Sequence, residues 1–431
     1  MTDPPKIAII GAWHQACVLA GCFAEMSYQV SGIVTREQAK RLAAGKAPLF
    51  EPGLDELLQR NLQAGRIRYT SDYREGLRGV DFAFISIDTP VDSNDESDLS
   101  PIHEAVDALV GSITGPLTVV VTAQVPIGSC DRIRDQLATQ NLDQPIPVVY
   151  VPEFFRLGTA LQSFREADRF VIGADDPVVA EKVASLYRPL RRPMHITDVH
   201  SAEMAKHASN AFLATSISFI NQIADLCEVT GADVTEVATI LKLDRRIGPN
   251  AFLYAGLGYA GGTLGREIRA LQQLGAAKQV ETALLDSVDR INRDRAARLI
   301  RRVETAVSPI RGQRVGLLGL AYKPGTSTLR RSVAMEIANR LQADGARVVA
   351  FDPLVSPTEL DGTGLAFSSD PDDVSKGAAA LIVMLPWEGL TVAALRRWRS
   401  AMAQPLIFDT GNYLPADEVV AAGFAYFGVG R

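Results

Sequence analysis

Lys6-Ile-Ala-Ile-Ile-Gly11, continuing as Ala12-Trp13-His14-Gln15-Ala16, is a short apolar run closed by glycine and opening into a helical stretch. The same pattern returns at Arg314-Val-Gly-Leu-Leu-Gly319. The first run leads through apolar residues 16–27 to a second strand-like segment, Gln29-Val-Ser-Gly-Ile-Val34. The second leads through a helix at 332–343 to Arg347-Val-Val-Ala-Phe-Asp352. Unbroken apolar strands alternating with helices belong to parallel sheets covered on both faces. Further strands are predicted at 81–87, 117–122, 147–151 and 170–172, then at 380–385 and 406–409. The fold class is α/β, with a doubly wound parallel sheet at each end of the 431-residue chain.

Between these ends the texture changes. From 201 to 229 apolar residues recur at helical spacing with no Pro or Gly, until Gly231. Such a helix is too long for a strand-to-strand crossover. A second helix-rich stretch runs from 266 to 305. The pattern alone leaves open whether this middle segment is an internal spine or a subunit interface. The expected division is 1–198, 199–305 and 306–431.

Composition narrows the function classes. With 47% hydrophobic and 22% charged residues the chain is neither disordered nor fibrous. A net charge of -6 gives no basic footprint for nucleic acid. No run of eighteen apolar residues exists to span a membrane, and the N-terminus lacks signal-peptide grammar. The four cysteines, Cys17, Cys22, Cys130 and Cys227, form no C-x-x-C pair, which fits buried thiols in the cytoplasm. The histidines show no zinc-type spacing, and no metal site is expected.

A dinucleotide fingerprint wants G-x-G-x-x-G/A and an acidic residue about twenty positions on. Here Gly11 and Ala16 fit, but Trp13 stands at the central position and Val34 replaces the acid. The helix N-terminus still offers N–H groups and a positive dipole end to a phosphate. A strand–turn–helix that binds nothing satisfies the same residues.

Glu153 ends a strand within Val151-Pro-Glu-Phe-Phe-Arg156-Leu-Gly158, where open α/β sheets bind ligands. Lys206 and Asn210 lie four apart on one helical face; a lysine there either meets an anion or snorkels to water. The glycine-dense, aromatic stretch Arg246 to Glu267 reads as a loop over a ligand or as a connection packed on its own aromatics. Lys323, Arg330 and Arg331 surround a strand-to-helix turn, as a diphosphate site or a solvated basic turn.

Taken together, these motifs and their order give a resemblance. Pro48-Leu-Phe-Glu51-Pro-Gly53-Leu, Asp88-Thr89-Pro90, Val125-Pro-x-Gly128, Pro152-Glu-Phe-x-Arg156-x-Gly158-Thr-Ala and Ala202-Glu-Met-x-Lys206-x-x-x-Asn210 resemble the UDP-glucose/GDP-mannose 6-dehydrogenases. So do Arg246-Ile-Gly248, Gly261-Gly262, Gly319-Leu-Ala-x-Lys323-Pro and the Tyr426-Phe-Gly428-x-Gly430-Arg431 ending. The resemblance implies two Rossmann-like domains joined by a long central helix that dimerises. It implies NAD as cofactor and a nucleotide-sugar substrate. Catalysis would fall to Glu153, Lys206, Asn210, Thr263 and Glu267. Substrate would be held by Phe154, Arg156, Arg246, Phe252, Ala260, Lys323 and Arg330. Cofactor would be held by Gly11, Trp13, His14, Gln15, Thr89, Gln124 and Arg266.

The chain departs from the family at the reacting centre. The family loop reads G-G-x-C-x-x-K-D; in frame, Thr263 holds the cysteine position, Arg266 the lysine and Glu267 the aspartate. Oxidation of an aldehyde to an acid in this family needs a thiolate, and a threonine hydroxyl without a neighbouring base is far less nucleophilic. The expectation is an NAD-dependent two-electron oxidoreductase, or a transient-oxidation epimerase or dehydratase, that forms no uronic acid. The alternatives are a catalytically inactive nucleotide-sugar binder and a redox-independent lyase or isomerase. With Val34 in place of the acid, NAD binding is expected to be weakened and NADP tolerated, Arg36 lying two residues on.

Overall fold

A computed structural model of the chain describes residues 4–90, 97–139, 145–260 and 263–431. It divides into two compact units, Met1–Ala208 and Ser209–Arg431.

The first unit holds eight strands: β1 (Lys6–Ile10), β2 (Gln29–Ile33), β3 (Ile67–Thr70), β4 (Phe82–Ile85), β5 (Thr118–Val121), β6 (Val148–Tyr150), β7 (Phe170–Gly173) and β8 (Met194–Thr197). Their order in the sheet is β3-β2-β1-β4-β5-β6-β7-β8. Two buried clusters cover the faces. Ile7, Ile9, Phe23, Phe84 and Tyr187 belong to one, and Ala8, Ile10, Ala83, Ile85 and Val121 to the other. Alternate residues of β1 and β4 thus feed opposite cores, which is why these strands are apolar throughout. The expectation of a wholly parallel sheet needs one correction. β7 runs antiparallel to β6, and β8 parallel to β7. The β6–β7 connection carries only a six-residue helix, Ala160–Arg165, and makes no crossover of the usual kind.

The second unit repeats the plan with β9 (Arg314–Leu318), β10 (Arg347–Phe351), β11 (Ala366–Phe367), β12 (Ala380–Val383), β13 (Leu406–Asp409) and β14 (Ala425–Gly428). Their order, β11-β10-β9-β12-β13-β14, is parallel throughout. The predicted long helix is Val199–Thr230, 32 residues, and the helix-rich stretch resolves into Leu264–Lys278 and Ala283–Ala306. Three arginines of the latter, Arg295, Arg298 and Arg302, pair with Asp225 and Glu228 of the long helix and tie the two together. Among the described residues no helix is long and apolar enough to cross a membrane, and no cluster of three metal-ligating side chains is gathered.

Candidate active site

In the first unit the strand order places a switch point between β1 and β4, where α/β sheets bind ligands. Gly11 closes β1 with φ +134°, and a Cβ there would lie 2.1 Å from the Ser86 carbonyl oxygen, so only glycine fits. The helix α1 (His14–Glu25) follows at once. Trp13 is its N-cap in extended conformation, with its side chain exposed; no side chain caps the helix among the described residues, and its first turn has no acid. At the ends of β4 and β5, the Thr89 hydroxyl donates to the Gln124 carbonyl at 3.2 Å. Gly11, Trp13, His14 and Gln15, with Thr89 and Gln124, thus line the carboxyl edge of neighbouring strands. Val34, buried, follows β2.

His14 enters a network that its spacing does not reveal. Its Nε2 lies 2.7 Å from the Glu51 carboxylate, and both side chains are buried. Glu51 also accepts from the backbone N–H groups of Gly158 and Ala160, each at 2.8 Å.

The loop after β6 carries Glu153, which is buried. Burial pushes its carboxyl well above the usual range, and the positive charge of Lys206 offsets this only in part. Lys206 Nζ donates to the Glu153 carbonyl oxygen and sits 4.8 Å from the centre of the Phe154 ring. The Arg169 guanidinium lies 4.5 Å from the same ring. Lys206 is aimed there because its helix is pinned on either side. Glu203 accepts from Gly128 N–H (2.6 Å) and Cys130 N–H (3.0 Å), and His207 Nε2 donates to the Val125 carbonyl at 2.9 Å. Arg156 lies exposed on the same loop.

In the second unit the Asn210 amide donates to the Glu267 carboxylate at 3.0 Å, both buried. Thr263 is the exposed N-cap of the helix that carries Arg266 and Glu267 on its first turn. Asn292 fixes the approach to this turn, accepting from Tyr259 N–H and donating to its carbonyl. Ala260 is half-buried next to it; Gly261 and Gly262 lie outside the described residues. Lys323 lines a cavity of about 240 Å³ with Gly319, Ala321, Asp352, Leu385 and Trp387, at the ends of β9, β10 and β12. The remaining predicted contacts stand apart. Arg246 is exposed and bound to Asp244, Phe252 is exposed edge-on to Tyr254, and Arg330 is exposed outside that cavity.

Three sequence profiles match in chain order. They are the NAD binding domain of the UDP-glucose/GDP-mannose dehydrogenase family at 5–191, its central domain at 200–294 and its UDP binding domain at 316–416. The UDP-glucose 6-dehydrogenase YwqF of Bacillus subtilis is 34% identical, over 99% of this chain and 98% of its own. The chain belongs to the UDP-glucose/GDP-mannose dehydrogenase family. A UDP-glucose 6-dehydrogenase of Rhizobium meliloti is 36% identical, with 99% of each chain covered. The structure of a UDP-glucose dehydrogenase from Pyrobaculum islandicum superposes with a TM-score of 0.90 at 30% identity, covering 100% of this chain and 98% of that one.

As a member of this family the protein is an NAD-dependent nucleotide-sugar dehydrogenase. The first unit fits that cofactor. The turn at Gly11 is kept, and α1 presents its N-terminus without a side-chain cap or an acid in its first turn, which suits a diphosphate. Val34, which follows β2, has no hydrogen-bonding side chain.

The sequence did not single out Glu51, Glu203, His207 and Asp352 as functional. The available signals were the Pro-Gly that turns the chain after Glu51 and the placement of Asp352 at the end of an apolar run.

Proposed function

We propose that the protein oxidises a nucleotide sugar by a single two-electron step and does not carry it on to a uronic acid. The observation that carries this reading is Thr263, an exposed helix N-cap at the loop position where the family resemblance expects a thiol. The cysteines of the first unit are no substitute. All are buried, which raises the Cys17 and Cys22 thiols to about 12 and Cys130 well above its usual value. Cys227 is buried as well.

Bound NAD would supply a hydride acceptor. The chain supplies the rest. Oxidation of a sugar hydroxyl to a carbonyl removes a hydride and a proton, and the Lys206 ammonium stabilises the alkoxide that forms between these events. Glu153, whose carboxyl burial raises toward the range of a general base, takes up that proton as the carbonyl forms and returns it in the reverse direction. Asn210 and Glu267 form a preset pair that orients substrate oxygens. Phe154 and Arg156 hold the sugar end; Arg246, Phe252, Ala260, Lys323 and Arg330 hold the nucleotide end. Gly11, Trp13, His14, Gln15, Thr89, Gln124 and Arg266 hold the cofactor.

The protein works as a homodimer with three segments, 1–198, 199–305 and 306–431. Phe212, Phe219 and Leu226 recur every seven residues on the long helix, all exposed, with Val229 after them. That stripe suits a helix–helix seam.

The test uses UDP-glucose, the substrate named for the relatives. Mixed with NAD, the protein should yield at most one NADH per sugar and no carboxylate. Two NADH and a uronic acid from the unmodified chain would overturn the reading. A second reading, an inactive binder, is favoured by Trp13 and Val34 together. It predicts sugar binding by calorimetry with no NAD binding and no isotope exchange at the oxidised carbon.

A further inference from the structure

We infer that Glu51 is a positioning residue that transmits cofactor binding at α1 to the loop carrying Glu153. Its single buried carboxylate holds three donors from two places. His14 Nε2, in the first turn of α1, bonds one oxygen at 2.7 Å. Gly158 N–H bonds the same oxygen at 2.8 Å, and Ala160 N–H bonds the other at 2.8 Å. The last two lie at the far end of the 151–160 loop and at the start of the helix Ala160–Arg165.

The arrangement leaves little slack. The Glu51 side chain is 1% exposed and that of His14 is 7% exposed, so water does not replace a lost partner easily. Glu51 is itself fixed, because its carbonyl accepts from Leu54 N–H where the helix Leu54–Gln63 begins. Leu57 and Leu58 of that helix are buried in the same core as Ala16, Cys17 and Val18 of α1. A shift of the α1 turn on receiving a diphosphate therefore pulls the carboxylate, and the carboxylate pulls the loop. The inference rests on the reading that NAD occupies the α1 turn and that the 151–160 loop is catalytic. It concerns the link between them rather than the reaction.

Hydrogen exchange of the full-length protein, with and without saturating NAD, tests the link without turnover. In the wild type, NAD should slow exchange at 158–164 several-fold. In H14F, at NAD concentrations that still saturate it, that protection should disappear, and NAD affinity should fall about tenfold for one lost charge-assisted hydrogen bond. H14Q, whose amide reaches as far as Nε2, should restore most of both. E51Q should uncouple the segment as H14F does. Protection that persists in H14F, or a wild-type segment indifferent to bound NAD, would overturn the inference. So would H14Q behaving like H14F. Uronic acid formation by the wild type would overturn the proposed reaction and leave these measurements as they stand.

Discussion

The turn at Gly11 and the turn at Gly319 are the same device put to different uses. Both glycines have positive φ, +134° and +100°, and both donate their N–H to a carbonyl of the neighbouring strand, at Ile33 and Phe351. Strand register makes Val34 of the first unit the counterpart of Asp352 of the second, since Ile10 faces Ile33 and Leu318 faces Phe351. From there they diverge. Asp352 turns its carboxylate back on its own turn, accepting from the N–H groups of Leu320, Ala321, Leu354 and Val355. The following helix, Val333–Ala343, is capped by Ser332. In the first unit Val34 accepts nothing through its side chain, and α1 begins directly after the turn, with no side-chain cap among the described residues. A Rossmann turn that supplies its own anion has no use for another at that point, whereas one that leaves its helix end open is set for a diphosphate.

The two lysines should separate most widely. Lys206→Ala removes the cation beside the developing alkoxide, and one such donor is worth ~10²–10³ in rate. Lys323→Ala, in the second unit's cavity, should raise KM for the nucleotide sugar with little change in kcat. Steady-state kinetics that gave both variants the same split would erase the distinction between a chemical lysine and a binding lysine.

The glycines themselves come next. Gly11→Ala places a methyl 2.1 Å from a backbone oxygen, and should cost roughly 3 kcal/mol or more and abolish NAD binding. In Gly319→Ala the nearest atoms are Leu385 Cβ and N at 2.8 and 2.9 Å. It should cost less, about 2 kcal/mol, and leave NAD binding in place. Thermal unfolding and NAD titration read both.

The buried acids differ too. Asp352 has four amide donors, whereas desolvation leaves Glu153 with a raised pKa. The folded chain therefore holds the Glu153 proton where the unfolded chain, titrating near about 4.3, releases it. That contribution is complete below this pH and is lost as pH rises toward the folded-state value. Glu153→Gln should then gain thermal stability over the wild type progressively as pH rises above about 4.3, with no gain below it. A constant offset across that range would mean the carboxyl is ionised when folded.

The smallest effect is expected from Val34→Asp. Giving the first turn the acid that the second possesses should improve NAD over NADP by about tenfold, read as a ratio of Kd values. An unchanged ratio would place the ribose elsewhere.

Much of this was legible in the sequence where local chemistry dictated it. Apolar runs closed by Gly11 and Gly319 announced both sheets, and the absence of Pro and Gly between 201 and 229 announced the long helix. Short or half-exposed strands were not legible. β8 buries no residue fully, β3 buries only its ends and β11 has two residues, so none shows an unbroken apolar run. The site split in the same way. Glu153, Lys206 and Asn210 stood out by motif, but Glu51 acts on residues 107 and 109 positions away, and Glu203 on residues 75 and 73 away. No spacing rule reaches that far. Their roles come from the folded backbone.

Trp13, which broke the glycine pattern, gives the proposed cofactor site its own signal. The chain has three tryptophans; Trp398 is buried and stacks with Trp387, while Trp13 alone stands on the α1 turn. Its indole emits where reduced nicotinamide absorbs. Occupancy of the site, and the redox state of what occupies it, are thereby written into the protein's own fluorescence, and Trp13→Phe is the blank.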